Sequence, residues 1–390
     1  MDFSLSEEDL LLRDTVRELC DQQVRPHAGA WDEARALPPE LLPGLGQQGL
    51  LAMERPEDEG GAGLSTVAAT SLVEELAAAD GALALLVSVH NHLGLAHAAQ
   101  GLRPGPRAQE LPALTDGRHI AAWALSERGS GSDALRLSTS ARRDGDGWVL
   151  QGEKRYVLGA SVAQRIVVLA TTAGAGKDGP ERSRPEEVVA LLVDADAPGL
   201  ERSEPVRTLG MRAAGTAHLR LDGVRVPAER ELGDPGRAWA DAMALLDRSR
   251  VGMAAVACGI GRGAMEVAAA YAQEREQFGR PIAEFQAIQW KLADMATTLE
   301  AAWLLTLQAA WRRDVGLPFG AHASRAKLAA ARAATVACSE ALQIHGGYGY
   351  TREFPVERAL RDARLCEIGE GTNEIQRLLI SRAIAERFAA

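Results

Sequence analysis

The chain has 390 residues, of which 46% are hydrophobic and 25% charged, and its formal net charge is −10. That length buries a large core in two or three domains. The acidic balance speaks against a nucleic-acid partner, whose phosphates need a basic surface, but leaves room for an anionic small molecule held by a few local arginines.

The opening, MDFSLSEEDLLLRD, is acidic and lacks a basic n-region and a long apolar core, so it does not read as a signal peptide. Residues 1–118 read as an N-terminal helical domain. Ser6 stands as a cap before leucines and valines at helical spacing, and RPEDEGGAGLS is a loop marked by Pro56 and three glycines. The most apolar run, GALALLVSV (81–89), is too short to span a bilayer, and no membrane span is expected. In SVHNHLGLAH, His90 and His97 are seven apart and can share a helix face while His92 points elsewhere. No carboxylate or cysteine completes a metal set there, so no metal site is expected. Cys20, Cys258, Cys338 and Cys366 lie far apart without a C-x-x-C pair, and read as reduced structural thiols of a cytoplasmic protein.

From 119 to 233 the period changes. HIAAWALSE, STSARRDGDGWVLQGEKRYVL, QRIVVLATT, EEVVALLVDA and TAHLRLDGVRVPAE are short, β-branched and partly alternating. Strands so closely spaced predict a middle domain built as an antiparallel sheet or barrel, not a doubly wound fold. The stretch 171–187 reads as an exposed loop. Its Gly174, Gly176 and Gly179 fit G-x-G-x-x-G, but proline and charges follow where a helix would have to open, so no dinucleotide site is read there.

Residues 234–390 return to helical spacing and predict a C-terminal bundle of about five helices, an α+β chain that is mainly α. CGIGRGA (258–264) lies inside the first of these, where small residues allow close helix packing.

Four stretches carry candidate chemistry. ALSERGSGSD (124–133) leaves a strand for consecutive small residues, either a nest of backbone N–H groups for phosphate or a ring edge, or a plain polar turn. YAQEREQFGRPI (271–282) sets Arg275 and Phe278 three apart, expected on one helical face, and suits a diphosphate and an aromatic ring; a basic helix C-terminus is the plainer reading. QIHGGYGYTREFP (343–355) reads as a helix cap and loop. CEIGEGTNEIQRLLISR (366–382) holds one acid, Glu370, between Gly369 and Gly371 just before a helix, either a mildly stabilising helix-start charge or a catalytic base.

In order and over the whole length, these pieces resemble the acyl-CoA dehydrogenase family. SEEDLLLRDTVREL, EDEGGAGLS, ALSERGSGSD, REQFGRPIAEFQAIQ, QIHGGYGY and RDARLCEIGEGTNEIQRLLISR carry the resemblance. It implies an N-terminal helical domain, a middle β-barrel-like domain and a C-terminal helical bundle with FAD between them. The implied reaction removes two hydrogens from Cα and Cβ of an acyl thioester, with electrons passed to an electron-transferring flavoprotein. It also implies a homotetramer or homodimer in which a neighbouring subunit covers part of the FAD. By the same resemblance Glu370 is the catalytic base, taking the α-proton while a hydride leaves Cβ for flavin N5. Leu125, Ser126, Gly131 and Ser132 form the flavin loop, with Ser132 also near the thioester arm, and Tyr156 and Leu158 fall at flavin-ring positions. Arg275, Phe278, Gln286, Gln343 and Gly347 match contacts to the diphosphate and adenosine, and Thr372 and Glu374 a further FAD contact. Asp247, Arg250, Gly369 and Gly371 fall at the thioester site.

This chain departs from the family pattern at several positions. Tyr156 and Leu158 replace the usual tryptophan and threonine, and leucine cannot hydrogen-bond N5, which opens the alternative of an oxidase handing electrons to oxygen. Arg128 stands where proline is common. Gly369 replaces a frequent tyrosine, which implies room for a branched or cyclic acyl group. Some relatives place the base where Ser249 stands here; serine cannot serve, which leaves Glu370. A catalytically silent flavin- or acyl-binding partner is the third reading, and a thioester on CoA or on an acyl carrier protein fits equally.

Overall fold

The first helix opens as its sequence predicts. Ser6 Oγ accepts the Asp9 N–H at 3.1 Å and the Asp9 carboxylate accepts the Ser6 N–H at 3.3 Å, a reciprocal cap that satisfies two otherwise orphaned donors. The computed structural model describes residues 3–173 and 182–389. Gly174, Gly176 and Gly179, with the rest of 174–181 in the loop expected at 171–187, lie outside the described residues.

The N-terminal layer contains α1 (Glu7–Leu19), α2 (Ala28–Ala34), α3 (Leu41–Gln47), α4 (Thr66–Ala79), α5 (Gly81–Val89), α6 (Ala96–Gly101) and α7 (Pro104–Thr115). A π-helical stretch, His90–Leu95, joins α5 to α6, so the apolar run extends well beyond residue 89. The joined helix, Gly81–Gly101, is long and apolar enough to cross a membrane by composition, but its apolar window is 100% buried here and acts as core. The histidines inside it are structural. His90 Nδ1 accepts the Ala121 N–H and its Nε2–H donates to the Leu114 carbonyl, both at 3.0 Å, while His97 Nδ1 accepts Trp123 Nε1–H at 3.1 Å. His92 turns away to the Ser88 hydroxyl.

The middle layer is one curled sheet of β1 (Ala121–Ala124), β2 (Ser140–Asp144), β3 (Gly147–Val157), β4 (Arg165–Thr171), β5 (Val188–Asp194), β6 (Leu200–Arg202) and β7 (Ala217–Pro227). Its order is β1-β4-β2-β3-β7-β6, with β5 on β4. Most pairings are antiparallel, as expected, but β1 runs parallel to β4 and one bridge joins β2 to β4 in parallel. The reason is the connection: the β2–β3 hairpin and its loops return the chain to the end where β1 began, a long crossover of the kind parallel neighbours need. β1, β4 and β5 are buried on both faces. Trp123, Val167, Leu169, Ala190 and Leu192 join the helical core, and the alternate residues Ala122, Ile166, Val168, Leu191 and Val193 fill the inside of the sheet.

The C-terminal layer holds α8 (Ala238–Glu274), a small hairpin β8 (Glu276–Gln277) and β9 (Arg280–Pro281), then α9 (Gln286–Asp314), α10 (Gly320–His345), α11 (Val356–Cys366) and α12 (Asn373–Ala389). The glycines of CGIGRGA let α8 approach α4 and α10 backbone to backbone. A Cβ on Gly259 would lie 2.2 Å from the Glu74 carbonyl oxygen, and one on Gly261 3.1 Å from Ala334 Cα and 2.5 Å from the Leu299 side chain of α9. Arg262, on the same helix, pairs with Glu74 at 2.5 Å and Glu75 at 2.8 Å, and Glu75 also takes Arg17 at 2.5 Å. These paired buried charges tie α1, α4 and α8 together, and they are tolerable because each carboxylate has its partner.

Candidate active site

The first site element is the loop that leaves β1. Glu127 is buried and its carboxylate accepts Lys154 Nζ at 2.6 Å, the Ser138 N–H at 2.5 Å and the Thr139 N–H at 3.1 Å. Lys154, on β3, is fully buried and also donates to the Leu125 carbonyl at 3.0 Å. Burial works against the Glu127 charge, but the Lys154 ammonium and the Ser138 donors prevail and hold the carboxyl below its ordinary range. The loop is thus riveted to β3, and Arg155 N–H adds a bond to the Ser126 carbonyl at 2.8 Å. This brings Leu125 and Ser126 beside Tyr156, with Gly131 and Ser132 exposed farther along the same loop. Backbone N–H groups of Gly129, Gly131 and Ser132 have no acceptor among the described residues, and both glycines face open space.

Tyr156 sits at a bulge in β3 with φ +55, uncommon for a side chain this large. Its N–H donates to His218 Nδ1 at 3.1 Å, the two rings meet edge-on at 5.1 Å, and 68% of the tyrosine stays exposed. Leu158, two residues on, is half-buried and packs into the helical core.

Arg275 and Phe278 do not share a helical face, contrary to the sequence reading. α8 ends at Glu274 and Arg275 is already extended. Gln277 pairs with Arg280, leaving Phe278 and Gly279, at φ +52 and +78, as the two central residues of a tight hairpin turn. The left-handed turn at Phe278–Gly279 folds the chain back into the small hairpin, so the helix ends at Glu274, earlier than the apolar spacing implies. Even so, Arg275, Phe278 and Gly347 line one cleft of about 780 Å³, with Tyr348 and His345. Arg275 lies over the Tyr348 ring at 5.6 Å and has no carboxylate partner among the described residues, while Phe278 is 95% exposed at the hairpin tip. Gln286, first residue of α9, and Gln343, in the last turn of α10, are exposed beside this cleft without lining it.

The third element is the turn between α11 and α12. Glu370 has φ +55 and Gly371 φ +87, so two successive left-handed residues reverse the chain. The Glu370 side chain is half-buried; burial pushes its carboxyl up, against the Ser249 hydroxyl and the charges of Arg250 and Lys327, which pull it down. Arg250 is buried on α8, pairs with Asp247 at 2.5 Å and reaches the Glu370 carbonyl through Nε at 3.4 Å. A Cβ on Gly369 would stand 3.2 Å from Met253 Cε, so a flexible thioether closes the space that this glycine leaves. Beyond the turn, Thr372 Oγ accepts the Ile375 N–H at 3.4 Å and Glu374 is exposed.

The sheet and the turn are joined through the protein. Gly159 N–H donates to the Ala214 carbonyl at 3.0 Å, and Met211 N–H donates to Asp362 Oδ1 at 2.5 Å, on the helix that leads into Glu370. Sequence reasoning missed Lys154, Glu127, Lys327 and Gln376, because charged or amide side chains inside a motif read as solvated surface. The only available signal was an acid in LSERG and a base in GEKRY, two oppositely charged residues in neighbouring strand-end motifs.

A cleft lined by aromatics and an arginine, beside a loop whose backbone N–H groups at 129, 131 and 132 lack acceptors among the described residues, suits an anionic, ring-bearing cofactor, and a carboxyl raised by burial completes a site of the kind enzymes use. Models of the N-terminal, middle and C-terminal domains of acyl-CoA dehydrogenases match residues 6–118, 122–224 and 236–385, and the chain belongs to the acyl-CoA dehydrogenase family, whose members are FAD flavoproteins. It is 40% identical to the probable acyl-CoA dehydrogenase YngJ of Bacillus subtilis over 98% of this chain and 100% of that protein. It is 41% identical to the mouse mitochondrial short-chain specific acyl-CoA dehydrogenase over 97% and 90% of the respective chains. The butyryl-CoA dehydrogenase of Megasphaera elsdenii superposes with a TM-score of 0.93 at 32% identity, covering 99% of this chain and 100% of that one. The chain is therefore an acyl-CoA dehydrogenase and an FAD-dependent oxidoreductase. The residues present fit that cofactor: the N–H donors of Gly129, Gly131 and Ser132, without acceptors among the described residues, suit a flavin edge, and the Arg275 guanidinium, without a carboxylate partner among them, lies beside Phe278 and Tyr348 and suits a diphosphate and an adenine.

Proposed function

We propose that Glu370 is the base that takes the α-proton of the acyl thioester. The observation that carries this reading is the turn itself: an acid held at φ +55 between two glycines, with its carboxyl pushed up by burial. A thioester α-proton is weakly acidic, so a carboxyl with a raised pKa is a better-matched acceptor. The Glu370 N–H has no acceptor among the described residues, which leaves it free to polarise the thioester carbonyl as negative charge develops there. Asp247 and Arg250 support the turn from α8, and Ser249 orients the carboxyl. Leu125, Ser126, Gly131, Ser132, Tyr156 and Leu158 would hold the flavin ring; Arg275, Phe278, Gln286, Gln343, Gly347, Thr372 and Glu374 would hold the rest of FAD. When bound, FAD supplies the acceptor for the hydride that leaves Cβ.

The substrate is an acyl-CoA of short chain or with a branch near the thioester, supported by Gly369 and by the flexible Met253 behind it. Electrons pass to an electron-transferring flavoprotein, and the enzyme works as a cytoplasmic homotetramer. Four buried free thiols support a reducing compartment, and Trp290, Leu304, Val336 and Phe388, exposed on α9, α10 and α12, support subunit burial. One specific observation favours a second reading: Leu158 offers no hydrogen bond at its flavin-ring position, which is compatible with an oxidase. Anaerobic bleaching of the flavin by a panel of acyl groups, each on CoA and on a carrier protein, tests the substrate, and oxygen uptake tests the acceptor. Bleaching by short or branched acyl-CoA with no oxygen uptake is expected; bleaching only by carrier-bound acyl groups would overturn the CoA assignment.

A further inference from the structure

Beneath the Glu370 turn lies a buried cation with no carboxylate partner. Lys327, on α10, is 0% exposed, and its ammonium donates to the Gly371 carbonyl at 2.9 Å and to Asn373 Oδ1 at 3.3 Å. Gln376, equally buried, donates its amide to the Glu370 carbonyl at 3.2 Å and to the Gly371 carbonyl at 2.8 Å. Both peptide units that follow the Glu370 α-carbon are therefore gripped from the inside. A Cβ on Gly371 would lie 2.9 Å from Gln376 Nε2, so the grip also requires glycine there. Among the described residues Lys327 forms no ion pair within 4.0 Å. A buried charge held only by neutral oxygens is costly, and a helix core would pack better with an apolar side chain in its place. Two successive left-handed residues persist only where the surroundings over-determine them.

We propose that Lys327 is a positioning residue for the dehydrogenation: its ammonium locks the Glu370–Thr372 backbone and supplies the local positive charge that keeps the Glu370 carboxyl ionised before proton transfer. The inference rests on the reading of Glu370 as the base. The charged and titratable groups around Lys327 agree with this balance. Burial pushes its ammonium down to about 8, Cys366 and Glu367 at the end of α11 and Glu370 on the turn push it back up, and Arg250 from α8 pushes it down further. Removing the cation takes away one of the forces that lower the Glu370 pKa, so the carboxyl of such a variant stays protonated to higher pH.

The test is rapid mixing of FAD-loaded Lys327→Met with butyryl-CoA under anaerobic conditions across pH, alongside acetoacetyl-CoA binding, a probe whose β-carbon is already oxidised. The bleaching rate constant should fall on the order of 10²-fold, the cost of a slightly misplaced base. Acetoacetyl-CoA affinity should change by no more than about twofold, since ground-state binding is not what Lys327 supports. The acid limb of the bleaching rate should move to higher pH. A variant that loses thermal stability but keeps its rate and acid limb would reduce Lys327 to a structural lysine and overturn the proposal. If Lys327→Met does not accumulate as folded protein, Lys327→Gln decides, since it keeps an N–H donor for the Gly371 carbonyl and removes only the charge. Its acid limb should move to higher pH without a matching loss of acetoacetyl-CoA affinity; an acid limb that stays at the wild-type pH would overturn the proposal. Glu370→Gln separates the two levels. Bleaching by that variant would remove the base assignment itself, whereas a silent Glu370→Gln beside an unaffected Lys327→Met would remove only the role of Lys327.

Discussion

Arg250, on α8, reaches the carbonyl of Glu370, on the turn between α11 and α12, through Nε at 3.4 Å, and its neighbour Ser249 pulls the pKa of the Glu370 carboxyl down against burial. Serine at this position cannot abstract a proton, yet its hydroxyl favours the ionised form of the carboxyl proposed as the base.

Ser249→Ala should therefore raise the Glu370 pKa and move the acid limb of substrate-driven bleaching to higher pH. The rate at the pH optimum should fall by up to about tenfold, the worth of a hydroxyl dipole facing an ionised carboxylate. Stopped-flow bleaching by butyryl-CoA between pH 5 and 9, values set by the ordinary carboxylate and histidine ranges, reads both effects. An unmoved acid limb would mean that the hydroxyl does not serve the base.

The flavin loop depends on a buried pair. Lys154 and Glu127 are both essentially inaccessible to solvent and meet at 2.6 Å. Lys154→Met leaves the Glu127 carboxylate buried and unpaired, which should cost about 3–5 kcal/mol. The expected result is a lower melting temperature and loss of FAD on gel filtration. The double variant Lys154→Met/Glu127→Leu should recover most of the stability, because no orphaned charge remains, while FAD retention stays impaired through the loop. Equal destabilisation of single and double variants would show that the pair is not acting as a unit.

Gly369 leaves space that Met253 closes only with its flexible end. Gly369→Tyr should suppress turnover of branched or cyclic acyl-CoA by on the order of 10²-fold while butyryl-CoA loses less than about tenfold, since steric exclusion scales with the group excluded. A panel of acyl-CoA esters assayed by kcat/KM decides. Equal loss across the panel would contradict the pocket assignment.

His90 must be neutral to do what it does, since Nδ1 accepts from Ala121 and Nε2–H donates to Leu114. Burial holds its pKa at about 4, below the ordinary 6.5. The unfolded chain then binds the extra proton first, so the stability contributed by neutral His90 is complete above about 6.5 and declines as the pH falls toward about 4, by up to about 3 kcal/mol. Asp362, held up at about 7 by burial and by Asp80, acts with the opposite sign, so the comparison must be between variants. Urea midpoints of His90→Gln should fall less steeply with pH than those of the wild type. Parallel pH dependences would show that His90 is not the group being titrated.

Much of this fold is legible in the sequence, for stated physical reasons. Ser6 caps α1 because a hydroxyl before a helix start has an orphan N–H to meet. The glycines at 259, 261 and 263 foretell the close approach of α8 to its neighbours, and the change from helical to alternating spacing near 119 marks the sheet. What escapes is geometry set by tertiary context. Phe278 adopts a left-handed turn that its residue type does not advertise, so the apolar spacing of YAQEREQF carries the helix too far. The parallel placement of β1 beside β4 comes from a crossover that no local pattern announces. The active turn is half legible: Gly369 and Gly371 point to Glu370, but Lys327 and Gln376, which hold it, look like ordinary helix residues until the fold buries them.

Every site role above depends on Glu370 taking the α-proton. The decisive measurement is anaerobic stopped-flow bleaching of the FAD-loaded wild type and Glu370→Gln by butyryl-CoA, with FAD content and acetoacetyl-CoA binding as controls. The wild type should bleach rapidly, while Glu370→Gln should retain FAD and bind acetoacetyl-CoA yet bleach at least about 10⁴-fold more slowly, as expected when the only base is removed. Rapid bleaching by the glutamine variant would contradict the account and move the base elsewhere.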